Sequence, residues 1–136
     1  MIDPTRIMIW RDGGTGNMGD HTDEGNMTAR LRAPGHRIVP VFVRGHFNRI
    51  ASSGTDVADM LMIVDSGHGV FYDNELHTFE NVGEGYDAVL RVPEAELMHY
   101  ITDVGDEIVF EWTNPDSGDI SWGLEVGYIY ADEMKV

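Results

Sequence analysis

From Tyr86 onward, apolar side chains recur at every second position. Tyr86, Ala88, Leu90 and Val92 alternate with Asp87, Val89 and Arg91, and Ile108, Phe110 and Trp112 alternate with Glu107, Val109 and Glu111. Ile120, Trp122, Leu124, Val126, Tyr128 and Tyr130 form a longer run of one parity, against Ser121, Gly123, Glu125, Gly127, Ile129 and Ala131. A period of two sends one parity to a core and the other to water, so each run predicts a strand. Val39, Val41, Val43 and Phe47 share a parity in a fourth strand. Pro40 has no N–H for a ladder, which predicts an edge or strand-start position there. Met60 to Val64 is apolar at both parities and predicts a strand covered on both sides.

Between Trp112 and Ile120, the segment Thr-Asn-Pro-Asp-Ser-Gly-Asp has turn chemistry. Residues 106–131 therefore predict a hairpin, with Trp112 and Trp122 brought together on its core face. Helix is suggested only over Pro93–Ile101, with proline and acid at the start and Leu97 four residues before Ile101. Residues 12–26 hold five glycines and one apolar residue, Met18, and predict a long mobile loop. The domain reading is an N-terminal arm or edge hairpin over residues 1–36, carrying that loop, and a body over 37–136. Short strands separated by glycine-rich turns predict an all-β fold, an antiparallel β-sandwich with jelly-roll connectivity as the expected form.

The 136 residues fit one domain with room for a core. Nine Lys+Arg stand against 24 Asp+Glu, a net charge of −15, which repels phosphate and argues against nucleic-acid binding. The charge is uneven. Residues 1–49 carry seven arginines and five acids, whereas residues 50–136 carry only Arg91 and Lys135 among nineteen acids. Such contrast suits packing of the N-terminal third, through Arg6, Arg11, Arg30 and Arg32, on the acidic surface of a partner subunit. A solvated acidic face in a salty medium is the competing explanation. No cysteine is present, so thiol chemistry and disulfides are excluded. Met1-Ile2-Asp3-Pro4 lacks the features of a signal peptide, and no apolar run approaches the roughly 20 residues of a membrane span.

Four groups of residues invite a chemical reading. Gly14-Thr15-Gly16-Asn17-Met18-Gly19 spells the dinucleotide-binding string, but acids follow where a helix should begin, so no cofactor is expected. Asp65-Ser66-Gly67-His68 holds the residue types of a catalytic triad, yet neighbours in one turn rarely converge as base and nucleophile. A turn in which Asp65 and Ser66 bond their own backbone is the expected role. His68, Asp73, Asn74, Glu75, His77 and Glu80 are the densest potential metal ligands, without zinc-site or EF-hand spacing; no metal is assigned, calcium being the first alternative. Trp10 is the tryptophan least tied to a core parity and the candidate platform for a sugar ring.

The stretch Gly105-Asp106-Glu107-Ile108-Val109-Phe110-Glu111-Trp112-Thr113-Asn114-Pro115-Asp116-Ser117-Gly118-Asp119-Ile120-Ser121-Trp122-Gly123-Leu124 resembles small β-sandwich structural proteins of tailed-phage virions, the head decoration or cement proteins. The resemblance covers about twenty residues and does not extend to the N-terminal third. It implies a non-enzymatic protein of the virion, made in the host cytoplasm, that self-associates, often as a trimer, and binds the lattice of a major capsid protein. Two rivals stand beside it. One is a glycan or small-ligand-binding sandwich using Trp10, loop 12–26 and residues 65–80. The other is a metal-dependent β-barrel enzyme using His68, His77 and Glu80.

Overall fold

A computed structural model describes residues 2–13, 21–23, 26–49, 57–83, 85–115 and 120–133. Nine strands run β1 Met8–Asp12, β2 His21–Asp23, β3 Asn26–Arg32, β4 Ile38–Arg49, β5 Ala58–Asp65, β6 Asn74–Val82, β7 Ala88–Arg91, β8 Glu107–Thr113 and β9 Ile120–Tyr130. They form two antiparallel sheets packed face to face. Sheet A has the order β1-β9-β4-β7, with β2 also pairing with β9, and sheet B has the order β3-β8-β5-β6. The fold is an all-β antiparallel sandwich.

The core lies between the sheets. Sheet A contributes Val43, Phe47, Ala88, Trp122, Leu124 and Val126; sheet B contributes Met27, Ala29, Leu31, Met60, Met62, Phe79, Ile108, Phe110 and Trp112. Burying each large apolar side chain contributes roughly 1.5–3 kcal/mol relative to leaving it in water. Trp112 is fixed further, because its Nε1–H donates to the carbonyls of Ala58 at 3.2 Å and Val82 at 3.0 Å. A smaller cluster of Val39, Val92, Leu97, Ile129 and Ala131 lies outside this core. The seven-residue 3-10 segment Glu94–Tyr100 supplies Leu97 to it, where helix was expected over Pro93–Ile101. At its end, the buried Thr102 accepts from the Ile38 N–H through its hydroxyl, at 3.1 Å, and donates its own N–H to the Ile38 carbonyl, at 3.0 Å.

Several expectations change. β8 and β9 do not form a hairpin: β8 pairs with β3 and β5, and β9 pairs with β1, β2 and β4. Their tryptophans share a core because the strands face each other across it. Phe47, in register with Trp122, bridges the gap, its ring 4.6 Å from that of Trp112. Pro40 holds the strand-start position expected of it, as the third residue of β4, although β4 itself is an inner strand between β9 and β7. It sits where the β4–β9 register shifts, before the β7 pairing begins at Phe42, so the β7 ladder does not need its missing N–H. The shift also reverses parity: Val39 and Val41 join the outer cluster, while Val43 and Phe47 point to the main core. Tyr86 precedes β7 in a bridge with Gly83 and is exposed rather than inward.

The described strands within residues 1–36 belong to the two sheets. β1 is an edge strand of sheet A, β3 is an edge strand of sheet B, and β3 carries the buried Met27, Ala29 and Leu31. β1 and β3 pair with different strands, so they form no hairpin with each other. Within loop 12–26, His21–Asp23 is a strand on β9; the Gly14–Gly19 string lies outside the described residues.

Candidate functional site

The β5–β6 connection, Ser66 to Asp73, is a built turn. Gly67 and Gly69 adopt φ of +77° and +104°, values that side-chain-bearing residues rarely reach. The Asp65 carboxylate accepts from the Gly67 N–H at 2.9 Å, and the Asp73 carboxylate accepts from the Ser66 N–H at 3.1 Å and its hydroxyl at 3.3 Å. The Ser66 hydroxyl oxygen in turn accepts from the His68 N–H at 3.2 Å. A single 3-10 turn follows over Val70–Tyr72, closed by the Tyr72 and Asp73 N–H groups donating to the carbonyls of Gly69 and Val70. Asp65 and Ser66 thus bond neighbouring backbone, as their residue types predict, and the Ser66 hydroxyl faces Asp73 rather than the His68 ring.

This framework turns three consecutive apolar side chains outward. Val70, Phe71 and Tyr72 are 78%, 94% and 70% exposed, which makes the turn an apolar tip. Exposed apolar groups of this kind mark interaction sites when they cluster. Beside the tip lies a cavity of about 340 Å³, whose lining includes Phe71, Tyr72, Asp73, His99, Asp103 and Asp106 and, among the described residues, no lysine or arginine. The Gly67 N–H, and then the Arg30 guanidinium, hold the Asp65 carboxyl below its ordinary value.

The four arginines assigned to a partner contact are engaged within the chain itself. Arg6 pairs with Glu133 at 3.3 Å and Arg11 with Glu125 at 2.8 Å. Arg30 reaches Asp65 and Glu107, both at 3.1 Å, and Arg32 reaches Glu107 at 3.1 Å. Deleting residues 1–33 to remove these arginines would also remove an edge strand from each sheet. Trp10 is no free platform: in register with Val126, it packs on the core with its ring stacked 6.3 Å from Phe110.

The residues weighed for metal binding are spread over the tip and β6. The His77 ring stands edge-on to Phe79 at 4.6 Å, the Glu75 carboxylate accepts from the Thr78 hydroxyl, and Glu80 is exposed. Among the described residues, no three His, Asp or Glu side chains are grouped to hold a metal ion. No helix among them is long and apolar enough to cross a membrane.

Sequence reasoning placed residues 65–80 at the recognition end of the ligand-binding alternative but did not single out Val70–Tyr72 within them. The signal of the tip was legible: three apolar residues in a row immediately after Gly67 and Gly69, where neither strand nor helix periodicity calls for a core residue. Comparison of the chain with protein-family models gave no match, and comparison with curated proteins gave none.

Proposed function

We propose that this chain is a structural protein of a virion, of the capsid-decoration kind, that joins copies of itself and seats on a capsid lattice without catalysis. The observation that carries this reading is the Val70–Tyr72 tip, three apolar side chains held in water by a hydrogen-bonded turn. Solvating such a tip is unfavourable, and covering it with another subunit removes that cost with little loss of conformational freedom, because the turn is already ordered.

We further infer jelly-roll connectivity. Nesting outward from the β5–β6 turn, the pairs are β5/β6, β4/β7, β3/β8 and β1/β9, a two-stranded ribbon wound into two sheets. That winding is common in capsid proteins and also in lectins and cupins, so it supports a coat role without requiring one. The resemblance of residues 105–124 to decoration proteins points the same way.

The test is co-sedimentation of the purified chain with virion shells stripped of their decoration protein. Stoichiometric binding by the native chain, and at least tenfold weaker binding by Phe71→Ser, is the expected result; no sedimentation of the native chain would overturn the reading.

The cavity beside the tip favours a second reading, a glycan or small-ligand-binding module. Two aromatic rings and three carboxylates around about 340 Å³ suit a hydroxylated ring, with apolar faces to stack and hydroxyl groups to donate. Glycan-array binding lost on Tyr72→Ala would establish it, and a blank array would remove it.

A further inference from the structure

The outer face of sheet A carries three arginines, Arg11, Arg44 and Arg91, on a chain whose net charge is −15. Arg11, Glu125, Arg44 and Val89 lie side by side across β1, β9, β4 and β7, and Ile9, Gly127, Phe42 and Arg91 form the adjacent row. Glu125 is taken by Arg11. Arg44 and Arg91 are exposed and, among the described residues, make no ion pair. They are diagonal neighbours on adjacent strands, roughly 7–8 Å apart, close enough for two guanidinium groups to bracket carboxylates. Between them is a cavity of about 130 Å³ lined by Phe42, Arg44, Val89, Leu90, Arg91 and Glu125. Val89 is 56% exposed, and the lining is apolar at Phe42, Val89 and Leu90, cationic at Arg44 and Arg91, and anionic at Glu125, which Arg11 already holds.

The tip carries the opposite arrangement. Its apolar side chains stand beside Asp73, Asp103 and Asp106, and among the described residues no Lys or Arg lines the cavity they share. Tip and face are complementary in both respects: apolar meets apolar, and carboxylates meet two arginines that make no ion pair among the described residues.

We infer that the Val70–Tyr72 tip of one copy docks on the Phe42, Arg44, Val89 and Arg91 face of a second copy. This rests on the self-association proposed above and names its two surfaces. Because the surfaces are different patches of one chain, the contact is head-to-tail, and repeating it closes a ring or extends an array. A chain with a net charge of −15 repels its copies at long range, and ionic strength near 0.15 M confines that repulsion to about 8 Å, leaving the local match to act.

The test uses light scattering on two full-length variants. Phe71→Ser removes the tip, and the pair Arg44→Glu with Arg91→Glu removes the face; all three positions are exposed, and circular dichroism checks the fold. Val89→Asp is a second lesion on the face, in case the double reversal disturbs the sheet. Each variant alone should run as a monomer, while an equimolar mixture should give a heterodimer and nothing larger, since only one intact tip and one intact face remain to meet. Failure of the mixture to pair overturns the inference. Variants that assemble like the native chain overturn the surfaces but leave self-association standing; a native chain that never associates overturns both.

Discussion

Phe42 lies across Gly127. The two are in register on β4 and β9, and a methyl group added at Gly127 would come within 2.1 Å of the Phe42 Cε1 atom. Gly127→Ala therefore forces the ring off the sheet, costing about 1–2 kcal/mol in the range of overpacked sites. Urea denaturation of Gly127→Ala, Phe42→Ala and the double variant checks this. The double variant should cost scarcely more than Phe42→Ala alone, because the collision is then gone.

Trp112 closes the β5–β6 side of the core through its paired carbonyl contacts. In Trp112→Phe the Ala58 and Val82 carbonyls lose their donor and a small void opens, so stability should fall by about 2–4 kcal/mol. Denaturation monitored by circular dichroism measures the fall; a loss below 1 kcal/mol would show that the indole N–H contributes little.

Thr102 ties the segment after Tyr100 to the start of β4. Thr102→Val leaves the buried Ile38 N–H without its acceptor and should cost about 1–3 kcal/mol, whereas Thr102→Ser keeps the hydroxyl and should lose less. Thermal unfolding of the two variants side by side distinguishes hydrogen bonding from packing.

Asp65 gives the fold an acid-sensitive contact. Bonding to the Gly67 N–H, then to Arg30, holds its folded pKa below the ordinary carboxylate value. A depressed carboxylate pKa stabilises the fold at pH values above the unfolded pKa, and that contribution disappears as pH falls through the folded value. The difference in urea midpoint between the native chain and Asp65→Asn should therefore be constant from pH 7 to about 5 and shrink toward zero below the ordinary carboxylate range near 4. A difference that grows on acidification would reverse the assignment.

Phe71 separates folding from docking. At 94% exposure it contributes almost nothing to the core, so Phe71→Ser should alter stability by less than about 0.5 kcal/mol. A larger loss would mean that the ring is part of the fold and not a surface for a partner.

Parity made the sandwich readable. The alternation in β7, β8 and β9 correctly sends Ala88, Phe110, Trp112, Trp122 and Leu124 inward. It could not say which strand pairs with which. Two strands of opposite sheets bury their tryptophans in the same core just as a hairpin would, so periodicity does not distinguish the two arrangements. Pro40 marked the start of β4 correctly, but the extra residue beside it swaps the inward parity, and that leaves no mark in the periodicity. The arginines were legible as a charge contrast only. Glu133 lies 127 residues from Arg6 and Glu125 lies 114 from Arg11, so their pairing exists only once the strands are assembled. The tip was visible as composition, but its exposure depends on where Gly67 and Gly69 turn the chain.

Self-association is most directly tested by the solution mass of the native chain across a wide protein concentration range near 0.15 M salt. Assembly through tip and face gives masses climbing from 15.2 kDa through its multiples as concentration rises. A constant 15.2 kDa at every concentration would contradict it.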